Sequence, residues 1–185
     1  GQFGEVVLRL EPMLRGSGFE FVNAIVGGVI PAKFVMSVQK GVQEAMMKGG
    51  LGGYPVIDVK VTLFDGMTHS VDSSDIAFKI AGSMGFKQVT NICNPILLEP
   101  IMDVEVNVPE SYMGDVISDI NSKRGKVIGM DPQHGRQVIK SQVPLSEMFQ
   151  YSIDLRSISQ ARGTFSMGFS HYDPVPHELS SKVIA

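Results

Sequence analysis

Tryptophan is absent from these 185 residues, and cysteine occurs once, at Cys93. A lone thiol excludes an internal disulfide and suits a reducing compartment, so the chain is expected in the cytoplasm. Cys93 reads as a small buried or half-buried residue near a helix end rather than as a nucleophile. No apolar run is long enough to cross a bilayer, and the N-terminus lacks the basic, apolar and small-residue order of a signal peptide. An excess of cations is missing too: 16 Lys and Arg stand against 19 Asp and Glu, a net charge of -3. That excludes wholesale coating of nucleic acid, so an RNA contact has to be local and shape-directed, with a modest salt dependence. Residues 1–95 carry eight charges of each sign, and residues 96–185 carry eight cations and eleven acids. There is no G-x-x-x-x-G-K-[ST] phosphate loop and no G-x-S-x-G nucleophile elbow. His69, His134, His171 and His177 have no metal-ligand spacing. The four tyrosines are scattered, unlike the aromatics of an RNA-recognition-motif sheet. Neither a metal site nor a catalytic residue is expected, and there is no solenoid repeat or low-complexity segment.

What is present is a regular succession of elements. Residues 5–11 alternate polar and apolar after Val6, the period of a half-buried strand, and Pro12 ends them. Residues 19–24 form a second short strand. Gly27-Gly28-Val29-Ile30-Pro31 breaks the pattern, and Pro31 suits a helix start. Phe34, Val35, Val38, Val42, Ala45 and Met46 then recur at helical spacing, and Gly49-Gly50 stops the helix. Residues 56–64 are the clearest strand, with Asp65-Gly66 expected to turn it. Asp72, Ser73 or Ser74 can cap the next helix. That helix has two apolar stripes, Ile76-Ile80-Met84 and Phe78-Gly82-Phe86-Val89, which predicts burial on two sides. Asn94-Pro95 and Glu99-Pro100 mark a boundary. Beyond it the pattern predicts strand 101–108, helix 110–124, strands 126–130 and 137–143 around the turn 131–135, a helix from Ser146-Glu147 to about Gln160, and strand 164–172. This βαββαβ order is that of a ferredoxin-like sandwich. Residues 176–185 read as a short helix. Methionines such as Met46, Met84, Met113 and Met148 sit at core spacing.

Two polar turns carry candidate chemistry. Arg15-Gly16-Ser17-Gly18 is a glycine-rich turn that reads locally as a plain hairpin loop; its backbone N–H groups can also cradle a phosphate or enter an RNA groove. His69 lies among the hydrogen-bonding residues Thr68, Ser70 and Asp72, and an exposed histidine is either merely solvated or able to meet a base or phosphate. Lys123, Arg124 and Lys126 gather at a helix C-terminus, which the helix dipole explains and RNA contact would also use. Arg162, after Gln160 and Ala161, is similarly placed.

Several blocks, in order, resemble the fourth and fifth domains of the elongation factor G family of translation GTPases. They are Gly1-Gln2-Phe3-Gly4, Gly18-Phe19-Glu20-Phe21, Gly27-Gly28-Val29-Ile30-Pro31, Gly53-Tyr54-Pro55-Val56-Ile57-Asp58-Val59-Lys60-Val61 and Val71-Asp72-Ser73-Ser74 in the first half. In the second they are Leu98-Glu99-Pro100-Ile101-Met102, Tyr112-Met113-Gly114-Asp115-Val116-Ile117, Val143-Pro144-Leu145-Ser146-Glu147-Met148-Phe149 and Phe169-Ser170-His171-Tyr172. No one block decides the matter; the ordered set, covering nearly the whole chain, is specific. The abrupt start at Gly1 suggests a fragment.

The resemblance implies an α+β chain of two domains. Residues 1–95 would form a β-α-β-α fold like domain 2 of a small-subunit ribosomal protein, with a left-handed βαβ crossover, and residues 96–185 the ferredoxin-like domain. It implies a ribosome-binding monomer without membrane contact, whose tip enters the small-subunit decoding site and follows the tRNA–mRNA pair during translocation. The fifth domain would lie near the stalk base and the sarcin–ricin RNA of the large subunit. This part would not be an enzyme and would hold no cofactor; GTP and Mg would bind an N-terminal G domain outside it. The tip loops carried over are Arg15, Gly16, Ser17 and Gly18 together with Thr68, His69, Ser70 and Asp72, and a single fingertip requires both loops at one end of the first domain. Gln160 and Arg162 would face large-subunit RNA. The first loop is short beside some members and Glu5 departs from many, features of a paralogue acting in ribosome recycling. Tetracycline-resistance ribosomal protection proteins share these domains, and small-molecule kinases share the superfamily fold of the first.

Overall fold

The structure is a computed structural model that describes residues 1–184. Its elements are β1 (Glu5–Pro12), β2 (Phe19–Asn23), α1 (Ala32–Lys48), β3 (Val59–Met67), α2 (Asp75–Ile92), β4 (Leu98–Pro109), α3 (Met113–Ser122), β5 (Lys126–Gln133), β6 (Arg136–Pro144), α4 (Tyr151–Ile158), β7 (Thr164–Pro174) and α5 (His177–Ile184). The chain divides into two compact units, Gly1–Leu97 with helix α5, and Leu98–Pro176. The tail helix, grouped by sequence with the second domain, thus belongs to the first unit, where it touches the 3-10 turn Leu51–Gly53.

In the first unit the sheet order is β1-β3-β2. β1 is antiparallel to β3, pairing Glu5 with Met67 and Pro12 with Val59. β2 is parallel to β3, pairing Phe19 with Val59 and Asn23 with Leu63. Parallel neighbours need a crossover, and α1 supplies it. Helices α1 and α2 lie against each other, and the core forms from Phe34, Val38 and Val42 of α1, Val61 and Leu63 of β3, and Phe78 and Phe86 of α2. The Phe34 and Phe78 rings stack at 4.9 Å. Ser74 caps α2: its hydroxyl accepts from the Ala77 N–H at 3.1 Å.

Three expectations change here. Asp65-Gly66 does not turn β3: a bulge opposite Val7/Leu8 absorbs one residue, and Asp65 and Gly66 go on to pair with Val7 and Val6. A side chain at Gly66 would run into the Glu5 carbonyl and the Ile30 side chain. Helix α2 is buried on one stripe, not two. Phe78, Gly82 and Phe86 face the core, while Ile76, Ile80 and Met84 are exposed, because a three-stranded sheet and one neighbouring helix cover only one side. Cys93 caps the C-terminal end of α2 and is exposed.

In the second unit the four strands are ordered β5-β6-β4-β7, with every neighbouring pair antiparallel. With α3 and α4 this is the ferredoxin-like arrangement. Val104, Val106, Val108, Ile139 and Val143 meet Val116 and Ile120 of α3 and Tyr151 and Leu155 of α4. The 131–135 turn shrinks to a two-residue hairpin, His134-Gly135, both with positive φ (48° and 79°), so the strands extend through Gln133 and from Arg136. Ser146-Glu147 does not open α4. These residues form a 3-10 turn held by Arg124, and the helix begins at Tyr151.

Candidate nucleic-acid interface

The antiparallel register of β1 and β3 decides where the two polar loops lie. β1 ends at Pro12 opposite Val59, the first residue of β3, so residues 13–18 sit at the start of β3. There Asp58 ties them down: its carbonyl accepts from the Met13 N–H at 2.8 Å, its Oδ1 accepts from the Gly18 N–H at 3.0 Å, and the Gly18 carbonyl accepts from the Val59 N–H at 3.2 Å. His69 follows Met67, the last residue of β3, which pairs with Glu5. Nine strand residues separate the two, about 25–30 Å at the usual rise. The expected single fingertip of Arg15, Gly16, Ser17 and Gly18 with Thr68, His69, Ser70 and Asp72 is therefore not formed; the loops occupy opposite ends of the first sheet. The Arg15–Gly18 turn also leads into strand β2 rather than a helix, so no helix N-terminus reinforces it for phosphate.

The His69 end is built from three pieces of chain. One is the turn 68–74. The Ser73 hydroxyl accepts from the His69 N–H at 2.9 Å and donates to the Phe3 carbonyl at 2.9 Å, and the Phe3 N–H donates to the Asp72 carbonyl at 2.8 Å. The His69 side chain is 54% exposed. Its Nδ1 faces the backbone N–H groups of Val71 and Asp72 at 3.4 and 3.3 Å and Asp72 Oδ2 at 3.2 Å. Nδ1 is thus occupied inside the turn, and Nε2 is the ring atom left for an outside partner. Ser70 is exposed and Asp72 half-buried. The second piece is the segment 1–4, whose Phe3 ring lies 6.2 Å from the His69 ring. The third is the loop after β2, joined to the first by a 2.7 Å hydrogen bond from the Thr68 hydroxyl to the Val29 carbonyl. Sequence reasoning missed these last two. The signal was available, because parallel β2 and β3 bring the segments that follow them to the same end.

In the second unit Gln160 and Arg162 are exposed on the turn after α4. Gln160 and Ala161 both have positive φ (49° and 62°). The turn is nonetheless fixed: the Gly163 N–H donates to Ser159 Oγ at 2.9 Å, and Arg136 Nη2 donates to the Arg162 carbonyl at 2.8 Å. Arg156, which the sequence reading passed over, lines a groove with Ser152, Leu155, Ala161, Gly163 and Phe165 beside this turn.

The three cations after α3 are not a free patch. Lys123 bridges Asp154 at 2.8 Å and Asp119 at 3.0 Å. Burial opposes its charge, but those two carboxylates outweigh it and its pKa lies above the ordinary lysine value. Arg124 reaches Glu99 at 2.6 Å and Glu147 at 3.0 Å. Hydrogen bonding to Glu99 holds the guanidinium charged against partial burial, and Glu147 adds to it. Both cations fasten elements of the second unit together, which leaves Lys126 exposed at the head of β5. Among the described residues no group of three or more His, Cys, Asp or Glu is placed to hold a metal ion, and no helix is long and apolar enough to cross a membrane.

Comparison with known proteins gives a consistent result over the whole length. Residues 1–94 match the family model for elongation factor G, domain IV, and residues 96–183 the model for the elongation factor G C-terminus. The chain is 56% identical over 184 residues to an elongation factor G of Aquifex pyrophilus, covering 100% of this chain and 26% of that protein. A crystal structure of a Thermus thermophilus protein superposes with a TM-score of 0.91 at 41% identity, covering 100% of this chain and 27% of that one. The chain therefore spans about a quarter of the length of the relatives it matches.

Proposed function

The chain belongs to the elongation factor G family, of which it carries domain IV and the C-terminal part, and from that premise we propose that it is the ribosome-binding portion of a translocating factor. In this reading residues 68–74 form the leading edge: they enter the small-subunit decoding site behind the moving tRNA–mRNA pair and oppose its return. GTP and Mg would bind in a G domain outside this chain, and this part would contribute contact and stiffness rather than chemistry. Gln160 and Arg162 would meet large-subunit RNA near the stalk base and the sarcin–ricin loop.

The observation that carries the reading is the construction of the His69 turn. Ser73 fixes it to His69 and Phe3, Ser74 roots it in α2, and the imidazole engages the turn through Nδ1 while the side chain stays half exposed. A preformed loop meets RNA without an ordering cost of roughly 1–2 kcal/mol per residue. The Arg15–Gly18 turn, at the other end, has no part in this edge. The test is His69→Ala in the full-length factor. Single-turnover translocation slows while ribosome-stimulated GTP hydrolysis persists; unchanged translocation rejects the role. A factor dedicated to recycling would show the loss in subunit splitting instead.

A further inference from the structure

We propose that residues 25–29 form a second RNA-contacting strip, lying beside the His69 turn and taking the sugar–phosphate backbone of ribosome-bound RNA. The inference rests on the reading that the His69 end meets RNA. Its first support is placement. The loop leaves β2 at Asn23, opposite Leu63, and the Ala24 N–H still donates to the Leu63 carbonyl at 2.8 Å, so the chain emerges at the C-terminal end of β3. The Thr68–Val29 hydrogen bond then joins the loop to the His69 turn. Ile30 is buried beneath it, against Gly66.

The second support is what the loop presents. Val26 is 81% exposed. Gly27 and Gly28 have φ of 71° and 68°, and a Cβ built on either meets nothing within 4 Å, so bare backbone stands open at the surface. RNA and DNA backbones are commonly held by main-chain N–H groups, which carry position without sequence. In the loop 13–18 Gly16 and Gly18 are open in the same way, but that loop lies at the other end of the sheet and Asp58 takes its Met13 and Gly18 N–H groups.

Charge supplies the third. The acids of this end lie elsewhere: Glu5 on β1, Asp65 on β3, Asp72 beside His69, and Asp75 accepting from the Ser37 hydroxyl at 2.7 Å. Residues 24–32 contain no charged side chain, and Lys33, exposed in the first turn of α1, follows them. No acid sits in that first turn. A polyanion reaching this end meets least repulsion over the 25–29 loop and Lys33.

Two exposed apolar residues at opposite ends of one sheet make the test: Val26, and Leu14 at 85% exposure. The full-length factor carries Val26→Asp, Val26→Lys, Leu14→Asp or His69→Ala, and single-turnover translocation is measured on ribosomes. Val26→Asp slows it about ten-fold through like-charge repulsion, Val26→Lys slows it less than Val26→Asp does, and Leu14→Asp is without effect. Val26→Asp at parental speed while His69→Ala is slow overturns the strip and spares the His69 reading. Both at parental speed overturn the two together. Equal slowing by Val26→Asp and Val26→Lys overturns the strip because charge would not matter, and equal slowing by Leu14→Asp overturns it because position would not.

Discussion

Tyr151 illustrates how single residues hold the second unit. Its ring is buried, edge-to-face with Phe165 at 4.9 Å, and its hydroxyl has no hydrogen-bond partner among the described residues. Burial, with the nearby Asp119 and Asp154 charges adding to it, raises the phenol pKa well above its ordinary value. The folded protein then keeps a proton that the unfolded chain releases above pH about 10, so stability falls as pH rises through that region. The raised pKa of Lys123 acts with the same sign, since its bridges are fully present below its unfolded pKa and lost as pH climbs. Tyr151→Phe is predicted to change stability by about 1 kcal/mol or less near neutral pH, because the hydroxyl it deletes is unpartnered. Above pH about 10 it reduces the alkaline loss, as denaturant unfolding at the two pH values would report. A steeper alkaline loss in the variant would contradict the assignment.

At the scale of elements, the crossing of α1 and α2 sets the first unit. Gly82 lies where a Cβ would sit 2.5 Å from the Val38 carbonyl oxygen, and a Cβ on Gly41 would collide with the Lys79 carbonyl. Backbone rather than side chain occupies that space, so neither neighbour can rotate away. Gly82→Ala is predicted to cost about 3 kcal/mol. Gly114→Ala, at a helical glycine with nothing within 4 Å, gains up to about 1 kcal/mol from helix propensity. Denaturant melts of the two variants separate these outcomes, and equal effects would mean that the helix crossing is looser than described. The same crossing accounts for an error of sequence reading. Periodicity marks Ile76, Ile80 and Met84 as a stripe but does not say whether anything covers it, and a sheet of three strands does not reach that side. The strand and helix order was legible throughout because each element has a clean period. The bulge at β3 and the 3-10 turn at Ser146-Glu147 were not, since both depend on partners distant in sequence, Val7 and Arg124.

For the whole molecule, two architectures were legible, one from βαββαβ patterning and one only through resemblance. The placement of the loops was misjudged, although the strand directions contained the answer. In a parallel βαβ crossover the loop before β2 and the loop after β3 lie at opposite ends, whatever the residues in them. Chemistry-like composition drew Arg15–Gly18 and His69 together, and backbone direction separates them. The candidate interface that the loop placement leaves is the His69 end, with Phe3 and the 25–29 loop beside it, segments that carry the family resemblance but no local chemical motif.

The central claim is that this end, and not the Arg15–Gly18 end, approaches RNA in the small subunit. A cleavage probe reads it directly. The exposed Cys93 is replaced by Ser, a single cysteine is placed at Ser70 or Ser17 in the full-length factor, and an iron chelate on that thiol generates hydroxyl radicals on the ribosome. The account predicts cuts in decoding-site RNA from position 70 and none there from position 17. Cuts from position 17 with none from position 70 would contradict it.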